Sequence, residues 1–119
     1  MELDIKKIII VVRALPFNTP RNSEALRCAV GMTIEDDNHV TVAFVGDGVW
    51  TAASLDSEAA SSRDLRKHVE TLEMMEAEMM AEQEALAARN LEPSFQGIEI
   101  KPRDLIDGLI KDADVVMPF

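Results

Sequence analysis

One cysteine in 119 residues, Cys28, excludes an intrachain disulfide and any CxxC redox or zinc motif. Basic residues are also scarce. Twelve Lys and Arg stand against 22 Asp and Glu, for a formal net charge of −10, so the cation density that phosphate binding needs is missing and nucleic acid is not an expected partner. The hydrophobic run at residues 8–12 is far shorter than a membrane span and shows no signal-peptide cleavage pattern, so a cytoplasmic protein is expected. Histidine occurs only at positions 39 and 68, neither with a second His or Cys at ligand spacing. Asp64 and His68 share a helix face at i, i+4, but two ligands make a weak match that reads as a surface pair, so no metal is expected. No P-loop, GxGxxG or nucleophile elbow is present, and no cofactor is expected.

What is there is an ordinary globular composition, 47% hydrophobic with mean hydropathy near zero, long enough to fold as a single domain over residues 1–119 without staples. Residues 5–12 are β-branched with no alternation in their second half, as in a strand covered on both faces. Thr19 as N-cap and Pro20 at the first helical position then predict a helix to about residue 35, with Ala25, Leu26, Ala29, Val30 and Thr33 on its apolar arc. Asn38 is expected to end that helix in a left-handed conformation. A second strand follows at 39–45, a long hydroxyl-rich loop at 51–62, and a helix from 62 marked by Leu65, Val69, Leu72 and Met75. Over residues 76–91 two readings compete: a short strand at 77–81 with a helix at 82–90, or the single continuous helix that propensity alone favours. Residues 97–100 read as a strand, 102–111 as a helix with Leu105, Ile106, Leu109 and Ile110 inward, and 114–117 as a last strand. Met74, Met75, Met79 and Met80 read as core and interface filler rather than a metal site. Repeated strand–helix order selects an α/β fold: a mostly parallel sheet of about five strands, with helices on both faces.

In such sheets ligands bind beyond the carboxyl ends of the strands. That rule gathers residues 16–19, the Gly-Asp-Gly turn and Trp50, and the junction at Glu82. A site there would offer the backbone amides of Asn18 and Thr19, the carboxylates of Asp47 and Glu82, and the Trp50 indole. Each also has a plainer role: Thr19 as a cap, Asp47 as a turn residue accepting backbone hydrogen bonds, Trp50 as cover for the sheet end or anchor of a subunit contact. Cys28 lies well inside its helix, away from the N-terminal position that would activate a thiol, and reads as a small buried hydrophobe.

The stretches KKIIIVVRALPFNTPRNSEALRCAVGM and HVTVAFVGDGVW resemble the DsrE/DsrF-like family of small sulfur-relay proteins, which includes the TusD-type subunits. DLRKHVETLEMMEAEMMAEQEALAARNL and the closing LIDGLIKDADVVMPF are similar to its later helices and strands. The resemblance implies a three-layer flavodoxin-like sheet, homo- or hetero-oligomers with related subunits, and sulfurtransferases as possible partners. In catalytic members a cysteine just after the third strand carries a persulfide, and that position falls on Glu82. A carboxylate cannot hold a sulfane sulfur. The expected role is therefore a non-thiol subunit or binding module, acting by oligomeric assembly with a partner or small-ligand site around Asn18, Thr19, Asp47, Trp50 and Glu82. The alternatives are a persulfide carrier using Cys28 and an enzyme using Asp47 and Glu82 as an acid/base pair.

Overall fold

Strands and helices alternate along the chain in the computed structural model, which describes residues 5–15, 21–35, 37–55 and 60–119 apart from the side chains of 60–64. The order is β1 (Lys6–Val12), α1 (Arg21–Met32), β2 (Asn38–Phe44), a 3-10 turn (Gly46–Gly48), α2 (Val49–Ala53), α3 (Ala60–Met74), β3 (Glu78–Glu82), α4 (Gln83–Arg89), β4 (Glu99–Lys101), α5 (Arg103–Asp112) and β5 (Val115–Pro118). All strand pairings are parallel, in the spatial order β4-β3-β2-β1-β5.

The chain steps outward from β1 to β4 and then returns across the whole sheet to lay β5 beside β1. A right-handed crossover that reverses direction puts its helix on the opposite face. Helices α1 to α4 accordingly pack on one face, against Ile8, Ile10, Val42, Phe44 and Ala81. On the other face Ile106 of α5 is buried against Ile9, Val11, Ala43, Val45 and Met80. The expected three-layer arrangement, with helices on both faces and about five strands, is the observed one.

The competition over residues 76–91 is decided for strand plus helix. Helix α3 stops in a Schellman motif: Glu76 takes the left-handed conformation at φ 63°, its N–H bonds the Glu73 carbonyl at 3.0 Å, and Ala77 N–H bonds the Leu72 carbonyl at 3.0 Å. Asn90, at φ 54°, ends α4 in the same way. Left-handed backbone costs a Glu about 1 kcal/mol, and burying Met79, Met80 and Ala81 in the sheet outweighs it.

Several details differ from the sequence reading. Helix α1 ends at Met32, because the Asn38 side-chain amide donates to the Met32 carbonyl at 3.0 Å while Asn38 itself opens β2 in extended backbone. The predicted loop at 51–62 is helical at both ends, since Val49, Thr51 and Ala52 bury into the core as α2 and α3 already begins at Ala60. Met74 and Met75 are exposed at the end of α3, beyond the reach of the core that takes Met79 and Met80. Of the residues predicted inward on α5, Ile106 is buried and Ile110 partly so. Leu105 and Leu109 are exposed, because α5 meets the sheet along a single narrow stripe.

Candidate functional site

Register brings the carboxyl-end residues together. Phe44 of β2 pairs with Ala81 of β3, so Gly46 arrives beside Glu82, the last residue of β3. Glu82 in turn pairs with Lys101 of β4, which places Arg103, at the start of α5, within reach. Helices α4 and α5 leave adjacent strands toward opposite faces. The gap between β3 and β4 is therefore the switch point at which open α/β sheets bind ligands.

Here the gap is spanned by charge. Glu82 is 8% exposed. Its Oε1 accepts from Arg103 Nη1 at 2.8 Å and from the backbone N–H of Gly46 at 3.1 Å. Arg103 also donates from Nε to Asp107 at 2.8 Å, and its backbone N–H donates to both carboxylate oxygens of Glu84 at 3.0 and 3.1 Å. Glu84 thus serves the open N-terminus of α5, as a carboxylate near a helix start should. Hydrogen bonds to Asp107 first and Glu82 second push the Arg103 guanidinium above its already high pKa, which keeps it charged.

Two glycines shape the turn beside Glu82. Gly46 has φ +52°, a backbone conformation that disfavours a side chain. Gly48 packs against β1 so tightly that a Cβ there would lie 1.8 Å from the Val12 carbonyl oxygen. Asp47 between them points its carboxylate outward to Arg89, whose Nη2 donates to Oδ1 at 3.0 Å. Asp47 and Glu82 thus sit on neighbouring stretches, yet each carboxylate is held by its own arginine. Trp50, in α2, is half-buried behind the turn. Asn18 and Thr19 lie outside the described residues.

Arg103 and Arg89 were absent from the sequence reading, and neither could be found without knowing which strands are neighbours. A second omission is Asn22. It occupies the first position of the α1 stripe Asn22, Ala25, Leu26, Ala29 and is 1% exposed. Its amide nitrogen donates to the Ala14 carbonyl at 2.9 Å and to the hydroxyl of the fully buried Thr51, tying the start of α1 to α2. The i, i+3, i+4, i+7 spacing was the available signal.

Cys28 is half-buried in α1, its thiol directed at the Met117 sulfur of β5 at 3.9 Å. Among the described residues no three His, Cys, Asp or Glu side chains are grouped as metal ligands, and no helix is long and apolar enough to cross a membrane.

The family model described as the DsrE/DsrF-like family matches residues 6–119. In the solved structures, the chain is similar to the YchN protein of Escherichia coli, with a TM-score of 0.85, 19% identity, and coverage of 96% of this chain and 99% of that one. At that identity the likeness shows the fold. No curated protein matches the sequence.

Proposed function

The chain belongs to the DsrE/DsrF-like family, and on that premise we propose a member that works without a thiol at the family's sulfur-carrying position. It is a subunit or binding module, acting in the cytoplasm by oligomeric assembly and by binding a partner or small ligand. Family membership supports a role related to sulfur metabolism in general.

The observation that carries the reading is the state of Glu82. The resemblance assigns this position to the persulfide cysteine, and here it holds a carboxylate locked between the Gly46 N–H and Arg103. A group already committed to two charge-assisted or backbone hydrogen bonds spans the switch-point gap instead of presenting a nucleophile to it. The Cys28 thiol, directed at Met117 and away from any activating helix N-terminus, offers no comparable replacement. The acid/base reading finds less support still, because Asp47 and Glu82 are each neutralised by a separate arginine. Apolar side chains left exposed along one edge, Ile100 of β4 and Leu105 of α5, favour assembly with further subunits.

Intact-mass measurement after exposure to a sulfur donor tests the reading. The parent protein should gain no sulfur. A gain of one sulfur atom that disappears in Cys28→Ser would overturn the proposal in favour of the carrier.

A further inference from the structure

A second polar feature lies at the opposite end of the sheet from Glu82, where β1, β2 and β3 begin and α5 ends. A cavity of about 280 Å³ opens there between α5 and the sheet. Thr41 of β2 lines it, on the same face as Ala43 and Val45 and paired in register with Ile9. Thr41 is 7% exposed, and its hydroxyl has no hydrogen-bond partner among the described residues. The oxygen is not sealed from solvent, since the buried side-chain polar atom without a partner among the described residues is Asn22 Oδ1; the Thr41 hydroxyl instead opens on the cavity that its residue lines.

The rest of the lining defines a chemistry. Ile9, Leu109 and Ala113 supply apolar wall. Glu78 and Asp112 supply two carboxylates against the single ammonium of Lys7, and neither the Lys7 nor the Asp112 side chain has an ion-pair partner among the described residues. His39 lies 3.7 Å from Glu78 on the same rim. Asp112 is the last residue of α5, so the carboxyl end of the helix dipole adds negative potential there.

We propose that this cavity binds a small organic ammonium ion whose far end carries a hydrogen-bonding group, the chemistry of a short amino alcohol. The ammonium sits at the acidic rim beside the end of α5, the methylene chain lies against Ile9 and Leu109, and the far hydroxyl meets Thr41.

Titration of the full chain with aminobutanol, n-butylamine and hydroxybutyrate, followed by backbone amide NMR shifts, tests the proposal. Aminobutanol should give saturable shifts at Lys7, Thr41 and Ala113 and bind about fivefold more tightly than n-butylamine, the worth of one hydrogen bond. Hydroxybutyrate should give none. In Thr41→Val the two amines should bind equally, and Asp112→Asn should weaken both, which keeps the test decisive if the Thr41 variant fails to fold. Absence of saturable shifts, equal preference for aminobutanol in Thr41→Val and the parent, or shifts centred on Gly46 and Arg103 would overturn it.

Discussion

Glu82 and Thr41 are buried to nearly the same degree, 8% and 7% exposed, at opposite ends of the same sheet. The carboxylate has two partners and the hydroxyl has none among the described residues. Burial of a charge is costly unless it is paired, so the charged member could persist only inside a network, and register supplies one from β2 and α5. A neutral hydroxyl tolerates a cavity. The contrast teaches that the buried ionised group at the carboxyl end of the strands is tied down by protein partners, whereas neutral polar groups go without them at both ends: the Thr41 hydroxyl faces a cavity at one, and Asn22 Oδ1 is buried without a partner among the described residues at the other.

The most severe way to break the tied end is through its backbone. In Gly48→Ala the new methyl would lie 1.8 Å from the Val12 carbonyl oxygen, with the Val12 carbonyl carbon at 2.6 Å. Neither is the movable end of a side chain, so the turn must lift away from β1 and carry Gly46 from Glu82. A loss of about 3 kcal/mol or more is expected, read as a fall in the denaturant midpoint.

Glu82→Ala comes next. It removes the acceptor of the Gly46 N–H and one partner of Arg103, at an expected cost of roughly 1–3 kcal/mol. The lower part of that range is favoured because the Arg103 side chain is 42% exposed and keeps Asp107. Glu82→Gln retains an acceptor for Gly46 and should recover about half of the loss. Chemical denaturation of the three proteins side by side checks the order. Equal stability of Glu82→Ala and the parent would mean that the buried pair contributes nothing net.

The fold was largely legible because hydrophobic patterning reports burial directly. The continuous run at residues 8–12 marked a strand covered on both faces, and Leu65, Val69 and Leu72 marked the buried stripe of α3. Sequence placed Glu82 and Asp47 at strand ends for the same reason. It gave no route to Arg103 or Arg89, because their pairing depends on which strands lie side by side and which face α5 covers, and neither is written in local periodicity. The over-assignment of Leu105 and Leu109 as inward has a related cause. An apolar stripe tells which side of a helix is greasy, and the width actually covered is set by the opposing surface, here one face of the sheet served by Ile106. The segment at 51–62 was misread because its small and hydroxylated residues suit turns as well as a short buried helix.

The smallest expected effect sharpens the comparison from the amino end. Thr41→Val replaces a hydroxyl by a methyl of nearly the same shape in a strand, where both residues are well accommodated. Removing Glu82 leaves partners stranded, but removing the Thr41 hydroxyl strands no partner among the described residues, and because that oxygen opens on a cavity its removal recovers little desolvation cost. The variant should therefore stay within about 0.5 kcal/mol of the parent, with a nearly unchanged thermal midpoint. A clear drop in midpoint would show that the hydroxyl is satisfied within the free protein, through ordered water at a built position. The difference between the ends would then be one of partner type, protein at one and solvent at the other.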